Sequence, residues 1–400
     1  MIKSLKIKNF GPINDGFENN DGFIPFAKVT LFCGPQGAGK SSVAKLFSIF
    51  SWLEKALKRG DFNEKYLTSF NRFVSNYCVY QNIQNYFRTD TFIHYKGNAY
   101  EMVYEKSIFS VKDLKSEDYI RPQIIYIPAE RNILSVLEDA ENVKGLPPAL
   151  NTLMDAFVAA CKNIKGYIKL PVNDLHFSYD KLNKIPKIES DGYSVRLSET
   201  SSGMQSVTPM CIVLDYLTRN LGAENVQKSL KEREEIRRRI DELLNDDSLD
   251  SQTRKILIDK VADSSNKYLL SIVEEPEQNL YPETQRNILN FLLAVNSLQP
   301  NQLVMTTHSP YIVNYLSLAV KAQKILSKMP QEKIAELDKI VPSSSVIDGG
   351  NVNVFELTSD GRIVELPKYD DMPSDNNLLN GHLVECNDLF GQLLELEDSL

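Results

Sequence analysis

GPQGAGKSS, residues 34–42, follows the apolar run VTLFC and precedes a stripe of apolar residues at helical spacing. The stretch fits G-x-x-x-x-G-K-[ST], with Gly34, Gly39, Lys40 and Ser41 at the fixed positions. Phosphate binding needs these residue types. Glycines let the backbone wrap closely around phosphate oxygens, with several N–H groups turned inward. Lys40 can reach the β- and γ-phosphates, and the Ser41 hydroxyl can ligate Mg²⁺. The helix that follows presents the positive end of its dipole to the same anion. Gly34, Pro35, Gln36, Gly37, Ala38, Gly39, Lys40, Ser41 and Ser42 together read as a nucleotide-binding loop.

Such a loop cannot hydrolyse ATP alone. It needs an acid on the Mg²⁺ side and a group that orients the attacking water. The stretch YLLSIVEEPEQNLYP (268–282) offers both at the end of an apolar run. Glu274 is assigned to the Mg²⁺ side, acting through water, and Glu275 to the water. Pro276 stops the strand and fixes the turn.

The chain has 400 residues, 42% hydrophobic and 24% charged, as expected of a soluble globular protein. A net charge of −8 gives no general attraction to nucleic acid; DNA contact is possible but not evident, and would need a local basic patch. No apolar run reaches the length of a membrane span. MIKSLKIKNF alternates like a strand and lacks the apolar core of a signal peptide. Cys33, Cys78, Cys161, Cys211 and Cys386 are scattered without a CxxC pair, so reduced thiols in the cytoplasm are expected, with no metal site.

Along the chain, strands are expected at 1–10 and 27–33. A helix follows, carrying Val43, Leu46, Phe47, Phe50, Leu53 and Leu57 on one face. Residues 61–90 read as helical, 91–111 as a hairpin turning at Lys96-Gly97-Asn98, and 124–132 as a buried strand and turn. Residues 133–164 read as helical and 166–197 as short strands. A helix is expected after SSGMQ, with Val207, Met210, Leu214 and Leu217 on one face. The charge-rich segment 222–266 reads as a solvated helical insertion. There Ile236, Ile240 and Leu243 fall at helix spacing, and Glu234–Arg238 and Glu235–Arg239 can pair. Strands at 268–275 and 302–309 alternate with helices at 283–297 and 311–328. Strands near 352–366 and an amphipathic helix near 377–398 complete the pattern, which is that of an α/β protein.

Two further motifs carry a resemblance. SSGMQ (201–205) resembles the LSGGQ-type signature of ABC-type ATPases, and THSP (307–310) places His308 where that group has its switch histidine. EEPEQNLYPETQ and the opening IKSLKIKNFGPI resemble stretches of the SMC, RecF and OLD-nuclease type ATPases. IYIPAERN followed by SSGMQ is similar to ABC-type AAA ATPases, several of them subunits of bacterial anti-phage defence systems. The resemblance implies a P-loop NTPase fold: an ABC-type head over 1–366 with the helical insertion, and a helical tail over 367–400. It implies that ATP and Mg²⁺ are the cofactors. It also implies a homodimer or higher homo-oligomer in which Ser201, Ser202, Gly203, Met204 and Gln205 of one copy complete the ATP site of another. Glu275 and His308 would be catalytic. Glu130 and Arg131 would stand near the γ-phosphate, and Asn279 would occupy the dimer-contacting D-loop.

This chain departs from the family pattern at Ser202 and Met204, and by carrying Glu274 where aspartate is usual. Gln123 precedes its strand, where the family's glutamine follows one. The segment between signature and acids is too short for an SMC arm, and the tail too short for a Toprim nuclease domain. The first reading is therefore a cytoplasmic ATPase that controls a separate effector, a nuclease or toxin. The alternatives are a nucleotide-dependent scaffold with little turnover and a RecF-like DNA-repair ATPase. A membrane transporter motor fits least, since the segment before the acids is foreign to it.

Overall fold

The computed structural model describes residues 2–137, 145–221, 237–238, 240–246, 250–252, 254–255, 266–298 and 300–398. Most of the expected insertion, including Glu234, Glu235, Ile236 and Arg239, lies outside the described residues. Leu243, within it, is buried.

A seven-stranded sheet forms the centre. Its spatial order is Gly16–Phe17, Arg362–Glu365, Val352–Leu357, Val29–Cys33, Gln302–Thr307, Tyr268–Glu274 and Pro122–Ile127. The five strands from Val352–Leu357 to Pro122–Ile127 run parallel. These strands are apolar on both faces because both faces are covered. Along one strand Leu31 enters one core and Phe32 the other; Met305 and Val304 divide in the same way. One core lies beneath the helix Ser202–Arg219 and the helices Pro282–Ser297 and Pro310–Leu326. The second core lies beneath the helix Lys40–Arg59, in which all six stripe residues are buried.

A five-stranded antiparallel sheet shares that second core, in the order Ile24–Pro25, Ser4–Phe10, Phe87–Lys96, Tyr100–Glu105, Ile108–Asp113. The expected hairpin is present, with Lys96 opposite Glu101. Phe50 of the helix stacks on Tyr95 of the hairpin, with ring centroids 5.2 Å apart. Beside them Glu54 is fully buried. It accepts hydrogen bonds from the Tyr95 hydroxyl at 2.9 Å and the Ala99 N–H at 2.7 Å, and pairs with Lys3 at 3.5 Å. A buried carboxylate is tolerable only with such partners, and this one ties the helix behind the glycine loop to the antiparallel sheet.

Two expectations need correction. Residues 61–90 are not a continuous helix: Glu64–Leu67, a π-helical turn at Phe73–Cys78 and a 3₁₀ turn at Gln84–Tyr86 succeed one another, and a strand starts at Phe87. Aromatic residues there pack on neighbours, as Phe73 does on Phe109 at 4.2 Å between ring centroids, so tertiary contact overrides helical propensity. The helix expected after SSGMQ also begins earlier, within the signature at Ser202. Residues 167–196 form a four-stranded antiparallel sheet, as the short-strand reading anticipates. Among the described residues no helix is long and apolar enough to cross a membrane.

Candidate nucleotide site

Strand register brings the motifs together. Cys33 is opposite Thr307, Thr306 is opposite Glu274, and Val273 is opposite Ile127. Four parallel strands thus end level with one another. The glycine loop, His308, Glu275 and the turn Ala129–Asn132 all leave from this carboxyl edge, where open α/β sheets bind ligands.

Gly34 follows its strand at φ +133°, and a Cβ there would lie 2.2 Å from the Leu357 carbonyl oxygen. No other residue fits. The loop closes at Gly39, the N-cap of the helix that begins with Lys40. Lys40 turns back over the loop. Its ammonium donates to the carbonyls of Gly34 at 2.9 Å and Pro35 at 2.7 Å, and lies 3.3 Å from His308 Nδ1. Burial pushes its pKa down to about 8, against the opposing influence of Glu275.

The other ring nitrogen of His308, Nε2, lies 3.4 Å from Glu275 Oε1. Lysine only donates, so Nδ1 accepts and Nε2 carries the proton offered to Glu275. That hydrogen bond, with the charges of Lys40 and Arg131 nearby, holds the Glu275 carboxyl below its ordinary pKa although burial opposes the shift. Glu275 has φ +42°, in the left-handed region that a glutamate rarely adopts. Its N–H donates to Thr306 O at 2.9 Å, which fixes that strained turn.

Glu274, only 4% exposed, accepts from the Ala129 N–H at 3.3 Å through one oxygen, while its other oxygen lacks a well-formed hydrogen bond, with the buried Tyr126 hydroxyl close to the carboxylate. A buried carboxylate oxygen left without a full hydrogen bond beside the glycine loop fits a water that would complete the shell of a Mg²⁺ ion.

Glu277 is a residue to which sequence reasoning gave no role. It accepts from the Thr307 hydroxyl and from the His308 N–H, each at 2.7 Å, and so sets the backbone of the histidine. Burial raises its pKa. The signal was an acid one residue beyond Pro276, on the turn facing the THS segment.

Arg131 differs from expectation. Its side chain is fully buried and does not face outward to a phosphate. The guanidinium donates to the carbonyls of Glu274 and Glu275 at 2.7 Å each, of Ser206 at 3.1 Å, and of Pro128 at 3.3 Å. Burial lowers its pKa to about 10. It is a strut between the signature helix and the acid turn. Glu130, its neighbour, is exposed. Gln123 lies inside its strand, opposite Leu269, and its side chain accepts from Asn266.

The signature divides. Ser201 caps the helix, and Ser201 and Ser202 are exposed at its N-terminus. Met204 faces the core, which fits the apolar residue at that position, and Gln205 donates back to the carbonyls of Ser198 and Thr200. The two serines and the helix end are therefore the exposed part of the signature, and Gln205 is half-buried. Gly203 packs so closely on the D-loop position that a Cβ would lie 2.6 Å from Asn279 O. Ser206 also donates to Gln278 at 3.3 Å. The signature helix and acid turn are thus joined at Asn279, Gln278 and Arg131.

A family model for the AAA ATPase domain matches residues 1–261 and 141–313. The chain belongs to the AAA ATPase domain family. This AAA ATPase domain is also similar to solved structures of SMC heads and ATP-binding cassettes. The SMC head domain from Thermotoga maritima is 10% identical, with 92% of this chain and 99% of that chain covered and a TM-score of 0.38. An SMC head with an extended coiled coil, bound to the C-terminal domain of ScpA and derived from Pyrococcus furiosus, is 10% identical, covering 91% and 96%, with a TM-score of 0.40. A dimeric ATP-binding cassette in a post-hydrolysis state with ADP and Pi is 10% identical, covering 91% and 100%, with a TM-score of 0.31. No curated protein matches the sequence significantly.

Proposed function

We propose that this AAA ATPase domain binds and hydrolyses ATP, and that two copies close head to tail around two nucleotides. The observation carrying the reading is the run Lys40–His308–Glu275 across three adjacent strand ends, beside the glycine loop. Lys40 leaves its loop carbonyls for the β- and γ-phosphates. Ser41, together with Glu274 through water, would hold Mg²⁺, whose role when bound is to neutralise phosphate charge. Glu275 orients the attacking water, with His308 fixing its carboxylate. The exposed Ser201 and Ser202 of the second copy, on a helix N-terminus, supply a further anion contact. Closure would control a separate effector, a nuclease or toxin; the motif resemblance supports that part.

Lys40→Ala tests the core of this reading. It is expected to weaken ATP binding by roughly a hundredfold or more, a loss of about 3 kcal/mol, because a desolvated charge pair with phosphate disappears. Titration with a fluorescent ATP analogue reads it, and wild-type affinity in the variant would overturn the assignment.

A pH dependence follows from the same lysine. Free Lys40 loses its proton near pH 8, whereas bound phosphate favours the ammonium. Above about pH 8 binding therefore takes up a proton, and affinity falls by up to about tenfold per pH unit until the ordinary lysine range near 10.5. Calorimetry in buffers of differing ionisation enthalpy measures the uptake directly.

A further inference from the structure

The helix Leu378–Asp398 stands apart from the cores. Its first turn is anchored: the Leu378 N–H donates to Glu356 at 2.7 Å, and Asn380 exchanges side-chain hydrogen bonds with Asn314 at 3.0 and 3.1 Å. Beyond that turn nearly every described residue is exposed, and a Cβ at Gly381 or Gly391 would meet nothing within 4 Å. Leu383, Leu389, Phe390, Leu393, Leu394 and Leu396 are nevertheless 47–62% exposed. A lone helix of this length is marginal in water, and each interior glycine costs it about 1 kcal/mol. It needs a cover.

We propose that the cover is the same helix of a second copy of this chain, forming an interface that requires no nucleotide. Spacing is the first reason. Leu383, Phe390 and Leu393 follow one another at intervals of seven and three, the rhythm of a helix-pairing seam, and Leu379, four residues before Leu383, continues that row onto the chain's own core. Charge is the second. The helix carries five acids and no lysine or arginine. At 100° per residue, Asp388 and Glu395 fall on the face opposite Phe390, so two seams can meet without apposing them; of the five acids Glu397, seven residues after Phe390, lies on the seam, in its last turn. With axes about 8–10 Å apart, such far-face acids would stand roughly 20 Å from their counterparts. That exceeds the Debye length of about 8 Å at physiological salt. Area is the third. The six exposed side chains offer roughly 600–700 Å² per helix, or about 1,300 Å² for a pair, within the range of stable interfaces.

The interface is separate from the proposed ATP-bridged one and does not depend on it. Its test is sedimentation equilibrium of the nucleotide-free full chain from low to high micromolar concentration. The expected result is a concentration-dependent species of twice the chain mass. It should persist in Lys40→Ala, hold or strengthen as salt rises, and revert to the monomer in Leu383→Glu/Phe390→Glu. Both altered residues are exposed, so the double variant should keep its ATP binding and its near-ultraviolet circular dichroism, which reports core packing. A wild-type chain that stays monomeric throughout would overturn the proposal. So would self-association that the double variant leaves intact, or self-association that salt abolishes. Loss of ATP binding in Lys40→Ala alongside an unchanged dimer would uphold it, whatever became of the hydrolysis reading.

Discussion

Glu275→Gln is expected to keep ATP affinity within a few-fold of wild type while lowering turnover roughly a hundredfold or more. The substitution keeps size and nearly keeps shape, but removes the carboxylate charge that is proposed to orient the attacking water. On the proposed reading binding rests on the glycine loop and Lys40, which the change does not touch. Lys40 does lose one nearby negative charge, a small effect beside its own burial. The backbone turn should survive as well, because it is held through main-chain atoms: the Glu275 N–H on Thr306 and the Glu275 carbonyl on Arg131. The glutamine can still accept from His308 Nε2, so ring position is preserved. Chemistry should then be separable from binding. With hydrolysis slowed, ATP-bound dimers should accumulate and be visible by light scattering after size exclusion, in excess over any nucleotide-free dimer. Phosphate release at the wild-type rate would remove Glu275 from the water-orienting role.

What could be read before folding follows from how local each signal is. The glycine loop and the stripe Val43–Leu57 are local: spacing along one segment specifies phosphate geometry and a buried face. The parallel strands were legible because burial on both faces leaves long apolar runs such as YLLSIV. The convergence of Lys40, His308 and Glu275 depends instead on strand order and register, joining positions 268 residues apart. It could be anticipated only through the motif resemblance. Residues 61–90 were misread because aromatic side chains there pack on a distant sheet, a preference no local period records. Met204 and Gln205 were counted, by their place in the signature, with the residues that complete a partner's site, yet the helix turns Met204 onto the core and Gln205 back to the carbonyls of Ser198 and Thr200. Arg131 misled most. In sequence it is a charged residue in a turn, and its acceptors are carbonyls on segments 75 and more than 140 residues away.

Arg131→Met should be the most damaging single change to the fold that bears on the site. The side chains are similar in length, but methionine returns none of the hydrogen bonds. The carbonyls of Glu274, Glu275 and Ser206 would lose a donor that is itself fully buried. Removing a charged donor from such a group costs about 3–5 kcal/mol, a large share of a domain's stability. Urea denaturation should register it as a lower midpoint. Arg131→Lys is the discriminating variant. An ammonium keeps the charge but cannot span the fork that reaches Glu274 and Glu275 together with Ser206. Its expected signature is a partly restored stability, near-normal ATP affinity, and a turnover still depressed by roughly tenfold, because the left-handed turn at Glu275 loses its tether and the signature helix its link to the acids. A merely structural arginine would behave otherwise: turnover would recover in step with stability. Wild-type turnover in Arg131→Lys would therefore confine the residue to holding the fold, and would leave the signature helix and the acid turn joined only through Gly203, Asn279 and the Ser206–Gln278 hydrogen bond.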